Sequence, residues 1–273
     1  MEIRTIDGVD LAYYTAGPVD GRPITLIHGL TANARDWFAT ANALAAAGWR
    51  VLSPDCPGHG RSAAPKDPAA YGMRRVADRL HDLARALGWA PAVIVGNSMG
   101  GAIAQEYALR HGADVTALVL ADSAGDLREP LARSPEHAAF VAKEFNTGLE
   151  KGMEAVWDLH QEAGGWADAK AMTPEVRAWR KARFCLTSAE GYLYGDRALG
   201  DRRKTLPDLA HLDLRTLVIC CENEEPYLKA VSDELAATIP GAQFALIPRA
   251  WHQPHLENAP AFNEALLSFL ASI

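Results

Sequence analysis

Short runs of aliphatic and β-branched residues recur along the chain, and most are followed by a stretch whose apolar positions fall three and four apart. Residues 3–6 and 10–14 flank Asp7-Gly8, a composition suited to a hairpin turn, so the pattern predicts two antiparallel strands at the start. The pattern then changes to continuous apolar runs at 24–27, 50–53, 93–95, 115–120, 215–220 and 243–247. Such runs suit strands buried on both faces of a parallel sheet. Helices are predicted between them at 37–47, 73–87, 102–110, 227–239 and 260–270, the first two closed by Gly48 and Gly88.

This alternation argues for an α/β fold with a mostly parallel, doubly wound sheet. It breaks off between 123 and 212. There the chain offers amphipathic helical segments, with start signals at Ser134-Pro135 and Thr173-Pro174, and no strand. The organisation expected is a core of residues 1–122 and 213–273, with 123–212 inserted as a helical cap. Such a cap would lie over the C-terminal edge of the sheet, where ligands bind in folds of this kind.

Composition narrows the picture without redirecting it. A chain of 273 residues with 49% hydrophobic and 22% charged residues has the makings of a sizeable core. The net charge of −7 and the lack of any long basic cluster argue against a nucleic-acid partner. Cys56, Cys185, Cys220 and Cys221 have no metal-ligand spacing and read as free thiols of a reducing compartment. The N-terminal residues carry no apolar stretch and no window approaches a membrane span, so the expectation is a cytoplasmic protein without membrane contact. Oligomeric state is not encoded in any pattern seen here.

The chemistry concentrates at Gly96-Asn97-Ser98-Met99-Gly100, which follows the strand at 93–95 and opens a helix. A serine turned out of the chain between a strand and a helix needs a strained backbone and small neighbours, the context of a nucleophile elbow. Its hydroxyl is a weak nucleophile and needs a base, normally histidine, oriented by a carboxylate. Among nine histidines, His252 has the right position, just after the last strand and at the same sheet edge as Ser98. Glu224 and Glu225, after the strand at 215–220, and Asp122, after the strand at 115–120, are the acid candidates. The N–H groups of Met99 and Leu30 are candidates for binding an oxyanion. His28 and Gly29 precede Leu30 at a strand end, where they shape the turn and border the substrate site. Trp157 and Trp251 are candidates for the pocket wall; Trp166, Trp179, Phe184, Tyr192 and Tyr194 line it or form the core of the cap.

With these residues in place the chain resembles the α/β-hydrolase family over nearly its whole length. The likeness rests on His28-Gly29, on Asp55-Cys56-Pro57-Gly58-His59-Gly60-Arg61-Ser62, on the elbow from Gly96 to Gly101, and on His252 with Pro254 and Glu257. It implies Ser98 as nucleophile, His252 as general base, and Leu30 and Met99 as oxyanion donors. It also implies a structural role for the segment 55–62. The chain departs from the family at Cys221-Glu222-Asn223-Glu224, where Gly-x-x-Asp is usual, so Glu224 is the expected acid and Asp122 the alternative. A second departure is Arg249-Ala250-Trp251 before the histidine, where relatives carry small residues.

The function this implies is a carboxylesterase acting on a small molecule through an acyl-enzyme, with no metal and no cofactor. Lactone hydrolysis is the alternative, followed by carbon–carbon bond hydrolysis of the meta-cleavage product type. The elbow resembles that of the latter enzymes, but the segment after His28 lacks their glycine-rich loop. A ligand-binding receptor built on the same fold is the reading from another class.

Overall fold

The computed structural model describes residues 1–123, 125, 135–164 and 173–273. Eight strands form one sheet: β1 (Glu2–Ile6), β2 (Val9–Ala16), β3 (Arg22–Ile27), β4 (Trp49–Pro54), β5 (Ala92–Asn97), β6 (Val115–Ala121), β7 (Thr216–Cys221) and β8 (Gln243–Ile247). Their order is β1-β2-β4-β3-β5-β6-β7-β8. The β1–β2 and β2–β4 pairs are antiparallel and all others parallel. At the first turn Asp7 and Gly8 both take positive φ, 49° and 72°. That is the primed turn whose twist matches the strands it joins.

Helices cover both faces because the strands alternate. Val93 and Val95 point into a layer with Trp37, just before α1 (Phe38–Ala46), Leu44 of α1, and Phe262 and Leu266 of α11 (Ala259–Leu270). Ile94 points the other way, into a layer with Val76, Leu80, Tyr107 and Val231 from α2 (Met73–Ala86), α3 (Met99–Arg110) and α9 (Pro226–Thr238). The first helical stretch starts earlier than its apolar spacing suggests. A 3₁₀ turn at Ala34–Trp37 precedes α1, because the Asn33 side chain accepts from Arg35 N–H and Asp36 answers to Asn33 N–H.

Between β6 and β7 the described residues form α4 (Pro135–Lys151), α5 (Met153–Glu162), α6 (Pro174–Phe184), α7 (Ala189–Gly200) and α8 (Leu206–Leu209). Pro135 opens α4 where a start signal stands, while Ser134 itself lies outside the described residues. At α6 the signal is complete: Thr173 Oγ1 caps Val176 N–H at 3.3 Å. Helix α7 seats on the core at a point where neither partner has a side chain. A Cβ on Gly191 would stand 2.4 Å from Gly58 O, and Ser188 N–H donates to that same carbonyl at 2.8 Å. The segment then returns to the core through Arg203, which pairs with Glu106 at 2.8 Å, and Thr205, which donates to Gln105 Oε1 at 2.6 Å. The short helix α10 (Pro254–Glu257) follows β8. No described helix is long and apolar enough to cross a membrane.

The elbow leaves no room for side chains on its glycines. A Cβ on Gly96 would stand 2.1 Å from Gly100 O, which is backbone and cannot rotate away. We therefore expect Gly96→Ala to cost roughly 1–3 kcal/mol, or about 2–4 °C of melting temperature for each kcal/mol. Gly112, which has open space around it, should accept alanine with little change in a thermal melt.

Candidate active site

The parallel strands deliver their C-terminal ends to one edge. His28 follows β3, Ser98 follows β5, Asp122 follows β6, Glu224 lies three residues after β7, and His252 five residues after β8. Ser98 has φ 56° and ψ −116°, a conformation that L residues rarely hold. Three surroundings enforce it. Ser98 N–H is committed to Ala121 O at 3.1 Å, and α3 starts at once behind it, with Ala102 N–H donating to Ser98 O at 3.2 Å. Gly100 lets the start of α3 come against β3, since a Cβ there would meet Ile27 O at 2.2 Å.

His252 Nε2 stands 2.9 Å from Ser98 Oγ, in range to accept the hydroxyl proton. On the other side of the ring, Nδ1–H donates to Glu224 Oε2, while Glu224 Oε1 accepts from Glu225 N–H at 2.8 Å. The Glu224 side chain is 3% exposed and that of His252 35%, so the carboxylate is sheltered and the imidazole can be reached from solvent. Residues 222 and 223 continue the β7–β8 pairing, through Glu222 N–H to Ile247 O and Asn223 N–H to Ala250 O, both at 2.9 Å.

Asp122 does not reach the imidazole in this arrangement. Its carboxylate turns to β7, where Oδ1 accepts from Cys221 N–H and Oδ2 from the Cys221 thiol, each at 2.9 Å. Burial raises its pKa. Burial pulls His252 down, but the hydrogen bond and charge of Glu224, with the charges of Asp122 and Glu257, outweigh it and leave the imidazole above its ordinary 6.5. Such a ring is a stronger base when neutral. It is also protonated over more of the acid range.

The N–H groups of Leu30 and Met99 make no hydrogen bond to the chain among the described residues. Met99 is the first residue of α3, where backbone N–H groups have no partner within the helix and the helix dipole favours negative charge. Gly29 lies against Ser98, to whose Cβ an added methyl would approach at 3.2 Å. Above the two candidate donors is Gly195 of α7. A Cβ there would meet Leu30 Cδ1 at 3.0 Å and Met99 Sδ at 3.7 Å.

Three expectations need correction or completion. His28 is not available to a substrate: it is fully buried, donates from Nδ1 to Gly29 O at 2.8 Å and accepts Cys56 N–H on Nε2 at 2.9 Å. Burial lowers its pKa to about 4, so it is a neutral strut under the turn. Trp157 is 4% exposed and packs edge-on against Phe184, with ring centroids 5.5 Å apart, in an apolar cluster of the inserted helices. It is core, not pocket wall. Trp251 and Trp179 are 39% and 48% exposed, Tyr192 donates to Glu144, and Tyr194 packs on Tyr71. Trp166 lies outside the described residues.

The segment 55–62 ties itself down. Asp55 Oδ1 and Oδ2 accept from Ala34 N–H (2.7 Å) and Arg61 N–H (2.9 Å), and Ser62 Oγ donates to Asp55 O (2.6 Å). A further residue joins the site: Asn97, whose Nδ2 donates to Ala121 O at 3.1 Å and to His252 O at 3.0 Å. This amide joins the serine turn to the histidine loop. Its only signal is its place beside Ser98. Among the described residues no group of three or more His, Cys, Asp or Glu side chains is placed to hold a metal ion.

Residues 22–259 match the family described as "alpha/beta hydrolase fold". Among solved structures, the enol-lactonase from Burkholderia xenovorans superposes with a TM-score of 0.83 at 28% identity, over 99% of this chain and 100% of that one. Lipase 3 of a Moraxella species is 27% identical over 94% of this chain and 81% of its own length. A non-heme haloperoxidase of Rhodococcus erythropolis is 27% identical over 99% of both chains.

The electrostatics of the histidine are directly measurable. An NMR titration of the His252 ring should give a midpoint above 6.5, and Glu224→Gln should lower it, because the variant loses both the charge and the carboxylate acceptor. Asp122→Asn should lower it less, since that carboxylate acts through space.

Proposed function

Because the chain belongs to the alpha/beta hydrolase fold family, we propose that it is a serine hydrolase that cleaves carboxylic esters of small or medium-sized molecules. The observation that carries this reading is the 2.9 Å approach of His252 Nε2 to Ser98 Oγ, with Glu224 on the far side of the ring. Ser98 Oγ attacks the ester carbonyl as its proton passes to His252 Nε2. The carbonyl oxygen becomes an oxyanion, which the N–H groups of Leu30 and Met99 stabilise; each such donor is worth about 10²–10³ in turnover. Glu224 stabilises the imidazolium that forms. Collapse of the intermediate breaks the bond to the alcohol oxygen, which leaves with the proton from His252, and the acyl group remains on Ser98. Water then repeats the sequence, giving its proton to His252, and the acid departs as that proton returns to Ser98. Every proton moves between these groups and the substrate, so the cycle calls for no cofactor.

Residues 123–212 act in this reading as a cap over the site, with α7 forming its ceiling at Gly195. A lactone is an ester closed into a ring, and the same steps open it with both products held in one molecule. The whole-length likeness to an enol-lactonase favours this second reading.

Steady-state hydrolysis of p-nitrophenyl esters of increasing acyl length, beside simple lactones, tests both. Turnover should fall by about 10⁴-fold or more in Ser98→Ala. Glu224→Gln should cost about 10³–10⁴-fold and Asp122→Asn less than about tenfold; the reverse order would move the acid to Asp122. The dependence of kcat/KM on pH should rise through a midpoint above 6.5, since only neutral His252 accepts the serine proton. Gly195→Leu should lower kcat/KM for long acyl chains more than for acetate, because the added side chain crowds Leu30 and Met99.

A further inference from the structure

The carboxylate of Glu257 takes no part in the steps above, yet it is at the centre of the loop that carries His252. Residues 251–253 belong to no helix or strand. Their N–H groups nonetheless converge on one atom: Glu257 Oε2 accepts from Trp251 at 2.6 Å, His252 at 3.1 Å and Gln253 at 3.3 Å. On the carbonyl side, Asn97 Nδ2 holds His252 O. The backbone of His252 is thus fixed from below by the residue before Ser98 and from the side by Glu257. Hydrogen bonds to a charged acceptor are about twice as strong as neutral ones, so Glu257 is the stiffer of the two ties.

The other oxygen of the same carboxylate leaves the core. Glu257 Oε1 accepts from Arg180 Nη2 of α6 at 3.2 Å, with side chains 12% and 18% exposed. Three residues on, and so on the same face of the helix, Arg183 Nη1 donates to Gln253 Oε1 at 2.8 Å and lies 3.5 Å from Asp36 Oδ2. Both Arg183 and Asp36 are buried. Two arginines of one inserted helix therefore grip the histidine loop, and one of them does so through the carboxylate that collects its N–H groups.

We propose that Glu257 is a positioning residue that holds His252 in register with Ser98, and that through Arg180 this register depends on how α6 is seated. The proposal rests on Ser98 and His252 being the reacting pair. A loop displaced by a fraction of an ångström keeps its substrate site but loses alignment of the proton transfer, and a misplacement of 1 Å can cost about 10²-fold. The link has two ends, Glu257 and Arg180. Removing either breaks the same connection, so the losses should not multiply.

The test compares Glu257→Gln, Arg180→Gln, their double variant, Arg180→Lys, and Lys181→Gln as a control. Lys181 pairs with Glu154 and Asp158 within the inserted helices and does not touch the loop. With p-nitrophenyl butyrate, we expect kcat to fall about tenfold in each single variant, with KM changed less than about twofold. The double variant should be no worse than the singles, Arg180→Lys should recover most of the loss, and Lys181→Gln should match the parent. Thermal melts read alongside separate misfolding from misalignment. A readout independent of turnover is the downfield proton NMR signal of His252 Nδ1–H, sharp in the parent and broadened or lost in both single variants. If Ser98→Ala leaves ester turnover intact, the functional reading falls and this signal alone decides the positioning role. A kcat within twofold of the parent in both folded single variants, multiplicative losses in the double, or an unchanged Nδ1–H signal would each overturn the proposal.

Discussion

Everything at this site depends on how closely the start of α3 approaches the end of β3. That approach requires glycine at position 100, where a Cβ would overlap Ile27 O, and at 96, where one would overlap Gly100 O. It forces Ser98 into φ 56° and is maintained by the packing of β5 between β3 and β6. The strain has a use. It leaves Met99 N–H at the head of a helix, where negative charge is favoured. Local backbone strain of this kind costs on the order of 1–3 kcal/mol and persists only in surroundings that over-determine it.

The second constraint is on the histidine, which has no such scaffold. Its loop is irregular, and its position is assembled from side chains: Asn97 and Glu224 from other strand ends, and Glu257 from the helical turn that follows. The sheet edge also holds three other buried histidines, His28, His59 and His255, whose pKa values burial lowers. His252 differs in donating directly to a carboxylate, that of Glu224, and in having part of its surface open. One loop is thus made basic while its neighbours stay neutral.

The fold was legible because period and burial speak in the same place. Six strand positions follow from continuous apolar runs and the first two from the hairpin turn at Asp7-Gly8, and the helix stops at Gly48 and Gly88 fall where positive φ is needed, 86° and 71°. Ser98 is marked as a candidate by its elbow and His252 by topology, since only strand ends reach the edge. The choice between Glu224 and Asp122 could not be made that way. Both follow strands at the same edge, and what separates their contacts is the N–H and thiol of Cys221, which engage Asp122 from the neighbouring strand. His28 and Trp157 are buried for a reason equally invisible in the sequence: position at an edge or in an insertion does not say which way a side chain turns. Asn97, Arg180 and Glu257 form contacts across 155 and 77 positions of sequence, and no local pattern encodes them.

The central claim is that Ser98 becomes acylated with His252 as its base. Intact-mass and peptide mapping by mass spectrometry, after a brief reaction with a p-nitrophenyl ester and acid quench, test it directly. The account predicts one acyl group per chain, on the peptide holding Ser98, absent in Ser98→Ala and strongly diminished in His252→Ala. Ester turnover by folded protein with no adduct at Ser98, or with the acyl group on another residue, would contradict it.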